Sequence, residues 1–390
     1  MSRSSSMALR VLMIATMLGW RWVPREWIPS GLNQMRWALG CDEIENVERL
    51  LNRAETERMD QGYYNNLLDT GLEHDLSPPI CQTVAELREV VLVPNLSIVR
   101  AKGTTWRTNE LGMRDRTYAA FKPAGAFRIA MTGDSIGVAL GVSEGRGFEP
   151  ALEQWLSEQS RRRNGPVVEI LNFSLPGRSP GQRWDHFQKV GWAMDPDLVL
   201  FEATAADIGW DHRRLAEVLA RDIGWDSTLY GDILKHFGAR PGATSEEYAR
   251  ALRPYRWDLL AAVYRAVAAD CRARGVPCLW VLIPRVGRVV GPDEQRRLLG
   301  AARAAGFTAV VDISDAFDDF DPADLAIHPS DFHPNAEGHA LLARRLAQAL
   351  WPLPALRSLQ GPSPGTTHHG RKPGTETGRV TRGGCPLRAG

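Results

Sequence analysis

FRIAMTGDS, residues 127–135, is the stretch on which the fold turns. Its apolar run through Ile129, Ala130 and Met131 has the length of a buried strand, and Gly133 ends it in a tight turn that presents Asp134 and Ser135. The same alternation continues outward. FEPALEQWLSEQSRR (148–162) sets Leu152, Trp155 and Leu156 on one helical face, and VVEILNFSLPG (167–177) is a second strand with a Pro-Gly exit. DPDLVLFEATAAD (195–207), VPCLWVLIPRVGR (276–288) and FTAVVDIS (307–314) are three more strands. Helices are expected over 257–275, stopped by Gly275, over 293–306 and over 335–351. Short apolar strands alternating with helices of this length specify an α/β fold, a central parallel sheet covered on both faces. Such sheets place their chemistry in the turns that follow the strands.

The flanks differ. Residues 1–95 are rich in helix formers, with Val47, Leu50 and Leu51 at helical spacing and a strand-like Val90–Val93 before Pro94, and they carry no catalytic signature. After residue 353 the chain becomes Gly/Pro/Thr/Arg-rich without an apolar period, which reads as a disordered tail in which His368 and His369 are a solvated pair. The expected division is a helical lead-in over 1–95, an α/β domain over 96–353 and a tail over 354–390.

Lys and Arg number 47 against 46 Asp and Glu, a net charge of +1, which excludes nucleic-acid binding by a strongly basic face. Five scattered cysteines without a CxxC argue against a disulfide framework or a four-cysteine zinc site and favour the cytoplasm. Arg3 and Arg10 with the apolar stretch Val11–Trp20 keep export open as the alternative. That stretch is about half the ~20 residues a membrane span needs, so no stable span is expected. Oligomeric state is not legible in the chain.

Three turns carry residues able to do chemistry. Ser135, on a sharp strand-to-helix turn beside helix amides, is placed as a nucleophile or, equally, as a helix cap. Gly177, past the second strand, sets an amide against the same cavity, or is simply the Gly of a turn. His333 lies in SDFHPNAEGH (330–339) just before the last helix, with Pro334 at the helix start and Asp331 two residues before the ring to hold it. A metal set of His328, Asp331, His333 and His339 competes with this, without an HExxH or paired-cysteine pattern to support it.

Taken together, in chain order, these blocks resemble the SGNH/GDSL hydrolase superfamily of esterases and lipases. TGDSIGVALGV resembles its first block, NFSLPGRSPGQ its second and DFHPNAEGHALLA its last, while Asn109, Gly112 and Arg114 resemble the lead-in of a bacterial subgroup. The resemblance implies a flavodoxin-like three-layer α/β/α sandwich, the SGNH-hydrolase fold. It implies Ser135 as nucleophile, His333 as base, Asp331 as its orienting acid, and the amides of Ser135 and Gly177 as the oxyanion hole. No cofactor or metal is implied, and the partner is a small-molecule or glycan ester.

Two departures qualify it. The family's third block is GxND; here LFEATAADIGWD (200–211) puts Thr204 at the Gly, Ala206 at the Asn and Asp207 at the acid. Losing one oxyanion donor costs about 10²–10³ in turnover; Thr204 and Asn172 are the side chains that stand nearby as substitutes. The acid three residues before His is replaced by Ser330, leaving Asp331, with Asp324 as the fallback. The expected activity is ester hydrolysis through an acyl-serine. The alternatives are acyl transfer to a sugar hydroxyl by the same residues, and a binding module that has kept the fold without catalysis.

Overall fold

The computed structural model describes residues 81–84, 89–96, 99–101, 104–220, 242–329 and 331–360. Of the helical lead-in expected over 1–95, residues 1–80 lie outside the described residues, as does the tail beyond 360. Two antiparallel hairpins come first: β1 (Cys81–Val84) with β2 (Glu89–Leu92), and β3 (Val99–Ala101) with β4 (Thr104–Trp106).

The main sheet is built on β5 (Ala126–Thr132), which pairs in parallel with β6 (Val167–Asn172) on one side and β7 (Leu198–Ala203) on the other. β8 (Cys278–Leu282) and β9 (Ala309–Asp312) complete five parallel strands in the order β6-β5-β7-β8-β9. Counted from its first strand this is 2-1-3-4-5, the flavodoxin-like order, and it reverses direction at β5/β7.

Alternate strand residues face opposite layers. Ile129, Met131, Leu200, Leu279 and Val281 pack with Leu152 and Leu156 of α1 (Phe148–Arg161) and with the C-terminal helix. Ala130, Val199, Phe201 and Trp280 face α2 (Pro180–Val190), α3 (Trp210–Ala220), α4 (Ser245–Leu252), α5 (Arg256–Ala273) and α6 (Pro292–Ala305), all of which contribute to that second core. Four of the chain's thirteen tryptophans, Trp184, Trp192, Trp257 and Trp280, contribute to this core. Trp184 stacks on Phe187 at 4.9 Å, and Phe201, Tyr264, Trp280 and Phe307 extend the ring cluster edge to face. The short α7 (Pro322–Leu325) and the long α8 (Ala336–Leu350) close the described chain together with the 3₁₀ helix Pro354–Gln360.

The three-layer α/β/α sandwich stands as expected. The helix α5 ends at Gly275, φ +70°, with the Val276 N–H donating back to Cys271 O at 3.0 Å. Two expectations need correction. The segment after Gly177 is not merely a strand exit: Ser179 accepts the Gln182 amide, Gln182 answers to the Ser179 amide, and Pro180 opens the helix α2. Residues 354–360 are not the start of the tail, because Leu356 and Leu359 eclipse on the 3₁₀ repeat and are fully buried beside α1 and α8. Among the described residues, no helix is long and apolar enough to cross a membrane. The apolar stretch Val11–Trp20 lies outside them.

Candidate active site

Ser135 lies three residues beyond Thr132, at the carboxyl edge of the sheet and at the strand where its order reverses. Its turn is held locally. Asp134 Oδ1 accepts the Ile136 N–H at 2.8 Å, Val138 N–H donates to Asp134 O at 3.1 Å, and Leu140 N–H donates to Ser135 O at 2.9 Å. The chain makes one turn and then leaves helical geometry at Ala139 (φ +57°) and Gly141 (φ +81°). α1 begins only at Phe148 with Gly147 as its N-cap. The expected strand-to-helix turn is thus a strand-to-loop turn. Ser135 caps no helix, and the α1 dipole does not start at it.

His333 stands in the loop between α7 and α8. The helix starts later than expected: Asn335, not Pro334, is the last residue before it, and its Oδ1 accepts the amides of Glu337 and Gly338. Asn335 Nδ2 donates to the carbonyls of Asp324 and Ala326, Ile327 N–H donates to His333 O at 3.0 Å, and Val286 N–H donates to Phe332 O at 2.9 Å. The Phe332 ring stacks on the imidazole at 4.2 Å, and the Arg285 guanidinium lies over the Phe332 ring at 3.3 Å from its centroid. The loop is therefore pinned from the loop that follows β8, from α7 and by its own helix.

The three residues come together. His333 Nε2 is 2.8 Å from Ser135 Oγ, and His333 Nδ1 is 2.5 Å from Asp331 Oδ1. The same carboxylate oxygen accepts the His333 backbone N–H at 2.9 Å, so one atom fixes both the ring and its backbone. A carboxylate against Nδ1 assigns the proton to that nitrogen and leaves the Nε2 lone pair facing the serine hydroxyl. All three side chains are buried, Ser135 the least at 9% exposed. Asp324, the fallback acid, is exposed on α7 and offers only its backbone carbonyl to this loop. His339 of the alternative metal set is committed elsewhere: its Nδ1 accepts the Phe148 N–H at 3.2 Å, and burial lowers it to about 3.

The residues expected at the oxyanion hole are less closely joined. Gly177 sits in the turn before α2 at φ +68°, a conformation that glycine adopts without strain. The strand-exit segment is anchored to the Ser135 turn by Leu175 N–H donating to Gly133 O at 3.0 Å. Asn172 and Thr204, the two side chains available to replace the absent Asn, are already engaged. Asn172 Nδ2 donates to Gly137 O at 2.9 Å, and Thr204 Oγ1 donates to Asp134 Oδ2 at 3.5 Å. Asp207 is buried against Arg183 at 2.9 Å, and burial still pushes it up to about 7.

Beneath the turn lies a carboxyl that the sequence reading passed over. Glu202, the one charge in the apolar run of β7, is fully buried beside Asp134. A Cβ at Gly133 or Gly137 would come within 2.0 or 2.2 Å of its Oε2, so what these glycines admit is this side chain. Burial and the nearby Asp134 charge hold the Glu202 carboxyl well above its ordinary range. The folded protein therefore keeps a proton that the unfolded chain releases. Stability from this group is complete at low pH and declines as pH rises past the unfolded value towards the native one. Glu202→Gln has no such proton. Its melting temperature relative to wild type is expected to rise between about pH 4.5 and pH 7.5. A difference that stays constant in melts across that range would mean that Glu202 ionises as an ordinary carboxyl.

The model described as GDSL-like Lipase/Acylhydrolase family matches residues 131–341. No curated protein matches the chain in sequence. Among solved structures the chain is similar to LAE5, an alpha/beta hydrolase enzyme from the metagenome of Lake Arreo, Spain, at 18% identity and TM-score 0.37 over 57% of this chain and 94% of that one. It is similar to Axe2, an acetylxylan esterase from Geobacillus stearothermophilus, at 16% identity and TM-score 0.38 over 60% and 94%. It is similar to TesA at 17% identity and TM-score 0.37 over 60% and 99%.

Proposed function

We propose, from the premise that the chain belongs to the GDSL-like lipase/acylhydrolase family, that it hydrolyses carboxylic esters through an acyl-serine intermediate. Ser135 Oγ attacks the ester carbonyl as His333 Nε2 takes its proton. Asp331 holds the ring in the tautomer that accepts at Nε2 and stabilises the imidazolium that forms. The carbonyl oxygen becomes an oxyanion facing the amides of Ser135 and Gly177. The imidazolium then gives its proton to the leaving alcohol, and the acyl group stays on Ser135. Water, deprotonated by the same nitrogen, releases the acid and restores the serine.

The observation that carries this reading is the pair of contacts about one imidazole, 2.8 Å to a hydroxyl and 2.5 Å to a carboxylate. With Ala206 at the family's Asn position and Asn172 and Thr204 occupied, the hole relies on main-chain donors. Turnover about 10²–10³ below that of a three-donor hole is the expected consequence. The substrate class is a small-molecule or glycan ester, and the unit that carries the chemistry is the α/β domain extended to residue 360.

A fluorophosphonate probe is expected to label wild type and to leave Ser135→Ala unlabelled. No labelling of folded wild type would leave a binding module as the better account. The spacing of Asp331 two residues before His333 supports acyl transfer to a sugar as the second reading, since it resembles the arrangement in some acetyl-transferring relatives. Release of acetate from acetylated sugars, measured with and without an acceptor glycan, separates the two. Acetate that falls as an acylated acceptor appears marks a transferase.

A further inference from the structure

The Asn109, Gly112 and Arg114 lead-in has no part in the chemistry above, yet it ends on the nucleophile turn. Asn109 Oδ1 accepts the N–H groups of Leu111 and Met113, both at 3.0 Å, and its Nδ2 donates to Arg116 O at 2.9 Å. Gly112, at φ +76°, passes so close to β2 that a Cβ there would be 2.8 Å from Leu92 O. This compact turn delivers one side chain. Arg114 Nη1 donates to Val138 O at 3.1 Å and Ala139 O at 2.5 Å, and Nη2 donates to Val142 O at 2.5 Å. Its guanidinium lies 4.1 Å from the ring centroid of Trp106, which is fully buried and packs in one cluster with Val138, Leu140 and Leu175.

These carbonyls need outside donors for a physical reason. Had a helix followed Ser135, the carbonyls of residues 138, 139 and 142 would accept amides four residues on. The chain leaves the helix at Ala139 instead, a non-glycine residue in the left-handed region. Buried carbonyls without partners cost free energy; Ala139 O also takes the Val142 N–H at 3.2 Å, and the planar fork reaches all three carbonyls from two separated nitrogens, where an ammonium donates from a single point. The clamped segment touches both halves of the reacting pair. Leu140 N–H holds the Ser135 carbonyl, while Gly141 packs so tightly on Ile327 that a Cβ would fall 2.5 Å from its Cδ1. Ile327 in turn donates to His333 O.

We infer that Arg114 is a positioning residue that sets the Ser135–His333 geometry by clamping residues 138–142 in a non-helical conformation. It touches no reacting atom. The inference rests on the serine-nucleophile reading above and names the device that holds that nucleophile in register.

The test is the rate of fluorophosphonate labelling and of p-nitrophenyl acetate turnover in Arg114→Lys and Arg114→Ala, with thermal melts of each. A misplacement near 1 Å costs about 10²-fold in rate, so kcat and the labelling rate are expected to fall on that scale in Arg114→Ala with KM nearly unchanged. Arg114→Lys keeps the charge and the stem but not the fork, and is expected to lose at least about tenfold. Sub-denaturing guanidinium, but not sodium chloride at equal ionic strength, is expected to restore labelling of Arg114→Ala in a saturable manner. If Arg114→Ala does not fold, Arg114→Lys decides the matter alone. A folded Arg114→Lys that labels as fast as wild type overturns the clamp and leaves the nucleophile standing. A loss in Arg114→Ala that guanidinium does not restore also overturns it. Wild type that does not label at all overturns the nucleophile reading, and the clamp falls with it.

Discussion

Ser135→Ala is expected to lower ester turnover by about 10⁴–10⁶-fold while leaving the melting temperature within a few degrees of wild type. The hydroxyl is the only atom removed, and it is buried against a histidine rather than part of the core. His333→Ala should cost nearly as much, because a serine hydroxyl at its ordinary acidity is a poor nucleophile without a base. The informative measurement is the double variant. Residues acting as one unit are non-additive, so Ser135→Ala with His333→Ala should be no slower than either single change. Turnover of p-nitrophenyl acetate falling by the product of the two single effects would mean that hydroxyl and imidazole act separately, and would break the proposed mechanism. Residual rate in Ser135→Ala within tenfold of wild type would remove Ser135 from the chemistry altogether.

The family resemblance and this geometry were legible in the sequence to different depths, for physical reasons. Ser135 is legible because a strand end can be read from an apolar run that stops at Gly, and a parallel sheet aligns those ends on one edge, whereas His333 is legible from its place just before the last helix. Strand order is a different matter. Periodicity identifies a strand but not its neighbour, so the reversal at β5/β7 appears only in the pairing of Met131 with both Asn172 and Leu200. The absent helix after Ser135 had a local signal in Gly141, Gly145 and Gly147, whose cost in a helix is about 1 kcal/mol each. The helix α2 had one too, in the spacing of Ser179 and Gln182. Glu202 was visible as a single charge inside LVLFEA, a local contradiction of the kind that marks a special site. Arg114 had no such signal for its role. Its three carbonyl partners lie 24 to 28 residues away, and which backbone groups are left unpaired depends on φ at Ala139.

Asp331→Asn is the sharper test of the catalytic assignment, because it changes a charge rather than a shape. In wild type one carboxylate oxygen accepts both the His333 backbone N–H and the ring Nδ1–H. An Asn whose carbonyl oxygen takes that place still accepts both N–H groups, so the ring keeps its tautomer and what is lost is the negative charge. The imidazolium that forms as Ser135 gives up its proton then faces a neutral amide, and His333 becomes a weaker base with the geometry intact. A loss within the 10²–10⁴-fold that a positioned base contributes, about 10² or more, is expected in kcat near neutral pH, with the fold unchanged in melts and circular dichroism. The loss should shrink at high pH, where hydroxide or an ionised serine replaces the weakened base, so the variant's rate should climb with pH after wild type has levelled off. Asp324→Asn, on the exposed face of α7, is the internal control and is expected to stay within about twofold of wild type. If Asp324→Asn were the slow variant and Asp331→Asn the silent one, the acid would have been assigned to the wrong carboxylate. If both were silent, His333 would be working without an orienting acid, and the Ser-His-Asp mechanism would reduce to a dyad.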